Sequence, residues 1–97
     1  MTEQMKWTPG PWLMIEAGLF FDIMGPDGIY VVGDEGIGPG GGAEANARLI
    51  AAAPEMYEAL KAVVQWADDL RYYSDEGTEL APVFQAARAA VLKAEGR

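Results

Sequence analysis

Between Asp34 and Ala43 the chain reads DEGIGPGGGA, five glycines and a proline in ten residues, and a helical pattern starts directly after it. A glycine-rich turn that feeds a helix N-terminus can aim several backbone N–H groups at a phosphate. Gly40, Gly41 and Gly42 would supply those donors, with Asn46 and Arg48 adding side-chain contacts from the first helical turns. The segment lacks the Lys-Ser/Thr of a P-loop, and no parallel βαβ pattern surrounds it. Glu44 also sets a negative charge at the helix start, in competition with any anion. The plainer reading is a flexible linker followed by a Glu44–Arg48 pair in the favourable orientation, worth only about 0.3 kcal/mol.

A second group of reactive residue types gathers further along. Asp68, Asp69, Asp75, Glu76 and Glu79 bring five carboxylates close together in sequence. Their spacing fits no calcium loop. Paired carboxylates can hydrolyse glycosides, but only across a deep cleft that so small a core hardly builds. Acids in this density can instead imitate a phosphate backbone and meet a basic groove on another protein, or simply form a solvated face. Trp66 lies beside the apolar stripe of its helix, and Tyr72 and Tyr73 end that helix. Aromatics at such margins are common interface anchors.

Composition narrows the chemistry further. There is no cysteine and no histidine, which removes disulfides, thiolate nucleophiles, the usual zinc sites and every histidine-based acid–base scheme. The sequence therefore predicts no catalytic residue, no metal site and no cofactor. A net charge of −8, from 15 acids against 7 bases, repels bare nucleic acid and anionic membrane and is drawn to basic protein surfaces. No apolar run approaches the ~18 residues of a membrane span, and no Lys/Arg-led signal peptide opens the chain. The expectation is a soluble protein of the cytoplasm. Its 97 residues read as a single domain, 1–97, with a thin core that homo-oligomer formation would help.

The elements that must carry these residues are read from periodicity and breakers. Residues 1–6 carry no pattern and read as a loose end. Trp7-Thr8-Pro9-Gly10-Pro11-Trp12 enforces an extended entry. Trp12–Ala17, Leu19–Met24 and Ile29–Gly33 read as strands, with turns at Gly18 and at Gly25-Pro26-Asp27-Gly28. The sheet therefore occupies 12–33, and a Gly-rich loop 34–43 joins it to helices over 44–96. The first helix runs from about Ala43 to Ala53, and Pro54 then suits the first turn of a new one. In that second helix Met56, Leu60, Val63, Val64, Ala67 and Leu70 form the expected buried stripe. Thr78 is a plausible cap for a last helix, with Leu80, Phe84, Ala87, Val91 and Ala94 facing inward. The fold class is α+β: a three-stranded antiparallel meander followed by two or three helices packed on one face.

Trp-Thr-Pro-Gly-Pro-Trp, the Gly-Pro-Asp-Gly hairpin and EANARLIAAAPEMYEALKAVV occur together here. The combination resembles a group of short proteins encoded by tailed bacteriophages and prophages, with a TPGPW-like opening and an ANARLIAAAPELLEAL-like helix. The likeness covers about Trp7 to Val64 and departs from the usual pattern in the glycines at Gly36–Gly42. It implies a phage origin and a bacterial host cytoplasm, and it carries no residue roles. With the acidity and the missing catalytic groups, it leads to an expected counter-defence protein. Such a protein would bind and inhibit a host defence component with a basic surface, such as a CRISPR effector. Two alternatives stand beside it: a sponge for a nucleotide immune signal, using the glycine loop, and a structural or regulatory phage accessory protein.

Overall fold

The computed structural model describes residues 7–70 and 81–97. In chain order they form β1 (Leu13–Ala17), β2 (Phe20–Met24), β3 (Tyr30–Ile37), α1 (Ala43–Ala51), α2 (Ala53–Leu70) and α3 (Ala81–Ala94). The strands make one antiparallel sheet in the order β1-β2-β3, and three helices follow, so the fold is α+β. The chain divides into two compact units, Met1–Glu55 and Met56–Arg97. The expected loose end at 1–6 lies outside the described residues.

In the first unit, Ala17 pairs with Phe20 across a two-residue turn. The second turn closes where Gly28 donates to the Gly25 carbonyl at 3.1 Å and the Ile29 amide bonds the Asp27 carboxylate at 3.1 Å. Gly28 sits at φ 82°, a left-handed conformation that glycine reaches without a Cβ penalty. α1 packs on the sheet, chiefly on β2. Its buried residues, Ala43 and Ala47, are small, so the helix lies close to the strands. Ile23, on the central strand, is completely buried and anchors this core. By the strand's alternation its neighbour Asp22 points to the other face. Asp22 is also buried, and its Oδ1 has no hydrogen-bond partner among the described residues.

The entry segment is part of this unit. The Trp12 indole N–H donates to the Thr8 carbonyl at 2.9 Å. A Cβ placed on Gly10 would stand 2.6 Å from Cβ of the buried Pro54. The TPGPW phrase and the AAAPE phrase, whose Gly10 and Pro54 are 44 residues apart in sequence, therefore meet at a contact only glycine permits.

The third strand is longer than expected. Residues 34–37, assigned by composition to the loop, continue β3, because Ile37 pairs with Phe21 of β2. Between the pairs Ile23↔Val32 and Phe21↔Ile37, β2 advances two residues and β3 five, so three surplus residues bulge out. The bulge takes up glycine and acid that a regular ladder would not, and the strand then resumes. The loop proper is Gly38–Gly42.

In the second unit α2 and α3 run antiparallel. Tyr57 donates to the Glu95 carboxylate, Arg88 Nη2 donates to Asp68 Oδ1, and the Trp66 and Phe84 rings meet at 6.2 Å, tilted by 54°. Val64, Ala67, Phe84 and Val91 are buried, and Tyr57 and Leu60 half-buried. The expected stripe of α2 is thus half right. Leu60, Val64 and Ala67 face inward, whereas Met56, Val63 and Leu70 are exposed. The helix is apolar over two adjoining faces, so periodicity alone leaves its rotation open. The polar pairs to Glu95 and Arg88 select the face that meets α3. On α3, Phe84 and Val91 are buried and Ala87 half-buried, but Ala94 is exposed. Leu80 and Thr78 lie outside the described residues.

Candidate functional site

The start of α1 forms one wall of an open cleft of about 410 Å³. Gly42 caps the helix in the left-handed conformation, with no side-chain hydrogen bond. The turn is held by Ala43 N–H to the Gly40 carbonyl at 3.2 Å and Asn46 N–H to the Gly42 carbonyl at 2.8 Å. Leu19 and Phe21 from the β1–β2 hairpin face Pro39, Gly40 and Gly42 of the loop and Ala43, Glu44, Ala45 and Arg48 of α1. Three of the five predicted ligand residues, Gly40, Gly42 and Arg48, therefore line one space. Gly41 and Asn46 are exposed and do not line it.

The electrostatics of this cleft are close to neutral. Arg48 Nη2 donates to Glu44 Oε2, with both side chains largely solvated. The guanidinium that would attract a phosphate is already matched, and the remaining walls are apolar or backbone. Such a cleft suits an uncharged guest better than an anion, unless the anion displaces Glu44.

The second candidate surface lies on α2. Asp68, predicted to face a partner, has its carboxylate on Arg88 of α3. Asp69 is exposed and accepts a hydrogen bond from Gln65 at 3.1 Å. Trp66 rests against Phe84 yet leaves 52% of its surface to solvent. Trp66 and Asp69, three apart on one helix, are neighbours on its solvent side. Tyr72, Tyr73, Asp75, Glu76 and Glu79 lie outside the described residues. On the α3 side of the helix, the hydrogen bond to Glu95 holds the Tyr57 hydroxyl above its ordinary pKa. Lys61, over the Tyr57 ring at 5.5 Å, is also raised, chiefly by its hydrogen bond to that hydroxyl.

Sequence reasoning missed the exposure of Met56, Val63 and Leu70. The signal was present in their seven-residue spacing, with Ala59 and Trp66 between, which repeats at 3.5 rather than 3.6 residues. Among the described residues no cluster of three or more Asp or Glu could hold a metal ion. None of their helices is long and apolar enough to cross a membrane.

Fold and surface together define a small α+β protein with a shallow, nearly neutral cleft in one unit and an apolar, acid-bordered helix face in the other. The chain belongs to the family described as Salmonella phage P22 protein Y8K6, whose model matches residues 1–97. It is therefore a phage protein. Neither a curated protein nor a solved structure matches it.

Proposed function

We propose that this phage accessory protein is a non-enzymatic counter-defence factor that binds and inhibits a bacterial immune component, such as a CRISPR effector, by an aromatic and acidic surface. The observation that supports this most is the placement of exposed Trp66 and exposed Asp69 one turn apart on the solvent side of α2. A half-exposed tryptophan next to a carboxylate offers apolar contact area and a charge to steer a basic partner. The test is phage plating on defended bacteria that express the protein. Plating should rise with the wild-type chain and fall back with Trp66→Ala combined with Asp69→Lys. Unchanged phage growth on every defended host would leave a structural or regulatory phage role instead.

The convergence of Gly40, Gly42 and Arg48 on one cleft favours a second reading, a sponge for a nucleotide signal. There a phosphate would take Glu44's place on Arg48. That reading predicts a higher melting temperature with cyclic nucleotides, lost in Arg48→Ala.

A further inference from the structure

We infer that the solvent-facing ridge of α2 is a helix-in-groove docking element, and that its occupant is an apolar groove on another protein with Lys or Arg along one rim. The inference rests on the reading of the protein as a binder of a host component, and it names where and how that binding occurs. Met56, Ala59, Val63, Trp66 and Leu70 follow at steps of three, four, three and four. That is the spacing of a seam gripped along its length by a second surface. Met56, Val63 and Leu70 are 52%, 44% and 53% exposed. With Trp66 they offer on the order of 400 Å² of apolar surface, within the range of about 300–600 Å² of a typical monomer's largest patch, which is often a functional one. Packing against α3 explains only part of it. Trp66 touches Phe84 with one side of its ring. The other α2 contacts to α3 run through Tyr57, Val64, Ala67 and Asp68 on an adjoining face and leave Met56, Val63 and Leu70 exposed.

The border of the ridge decides what covers it. At ~100° per residue the next positions toward solvent are Glu58, Ala62, Gln65 and Asp69. All are exposed, and neither charged one is basic. Lys61 stands further round, over the Tyr57 ring. A second copy laid antiparallel would bring acid border against acid border, and the −8 charge of each chain opposes their encounter in either direction. A groove with a basic rim gains from both features. The apolar steps provide grip, and Glu58 and Asp69 provide orientation and a faster approach.

The test uses the full chain as wild type and as Met56→Lys, Val63→Lys and Lys61→Glu. All three positions are exposed, so the two ridge variants should melt with wild type and separate docking from folding. Lys61→Glu, which also loses the contact with Tyr57, is assayed below its own melting temperature. Each version is expressed in defended bacteria challenged with a sensitive phage. Its affinity for the co-purified host protein, identified by mass spectrometry, is measured at low and high salt. Purified protein is also examined by sedimentation equilibrium. The expected result is a monomer whose two ridge variants bind about 30-fold more weakly and lose phage protection, the size of effect typical of a central anchor. Lys61→Glu should behave as wild type, and binding should weaken as salt rises. Ridge variants that protect as well as wild type would overturn the inference and leave the functional reading standing. A dimer dissolved by Val63→Lys would assign the ridge to a second copy and also overturn it. Wild-type protein that protects no defended host would remove the functional reading, and this inference with it.

Discussion

Replacing Gly10 with alanine should destabilise the first unit, although the same change at an unconstrained site would help. The added Cβ would stand 2.6 Å from Pro54 Cβ and 3.0 Å from Pro54 Cγ, well inside the ~3.5–4.0 Å at which carbons attract. Pro54 is buried and its ring cannot turn aside, so the entry segment must shift. Overpacking of this kind costs about 1–3 kcal/mol. Against it stands the reduced freedom of the unfolded chain, worth about 0.4–1 kcal/mol in alanine's favour. The net expectation is a loss of roughly 0.5–2 kcal/mol, combining the two effects. Urea unfolding followed by far-UV circular dichroism measures it. The cause is isolated by a double-mutant cycle with Pro54→Gly, which removes the opposing carbons. Once the ring is gone, Gly10→Ala should cost at least about 1 kcal/mol less. Equal or greater stability of Gly10→Ala, or costs that simply add within about 0.5 kcal/mol, would refute the contact.

Three further outcomes follow from the two cores. Ile23→Ala, at the fully buried centre of the sheet, should cost about 3–5 kcal/mol by denaturant titration, from lost burial of three carbons and the cavity they leave. Asp22→Leu should raise stability by up to about 1 kcal/mol, because it removes a buried oxygen without a partner among the described residues and keeps the branched shape, with the two larger methyl groups offsetting part of the gain. In the second unit the raised pKa of Tyr57 has a definite sign. The contribution is present below the ordinary tyrosine value of about 10 and is lost as pH rises through the higher folded value. Thermal melts from pH 8 to 11.5 should therefore fall more steeply for wild type than for Tyr57→Phe, at roughly the top pH unit and above.

The parts of the fold that punctuation fixes were readable in the residues. Gly25-Pro26-Asp27-Gly28 closes the turn it names, α1 begins at Ala43 behind its glycines, and Pro54 opens α2. What local pattern missed depends on partners far away in sequence. Residues Asp34–Ile37 look like loop and become strand because Phe21 pairs with Ile37. The rotation of α2 could not be read because both of its apolar faces satisfy a helical period. Only Arg88 of α3 and Glu95, in the turn directly after it, show which face turns inward. For the candidate sites, residue types indicated Arg48 and Trp66. Pairing decides their meaning, since Glu44 matches Arg48 while Trp66 stays half open beside Asp69.

The surplus in β3 bears on how this family can vary. Four residues, 33–36, lie between Val32 and Ile37 where β2 has only Asp22, a surplus of three, so one, two or three could be deleted there while both flanking pairs kept their partners. A one-residue deletion within the regular β1–β2 ladder has no such reserve and would turn every later side chain to the opposite face. Length differences among phage relatives should therefore accumulate at Gly33–Gly36, with α1 and its cleft held in the same place.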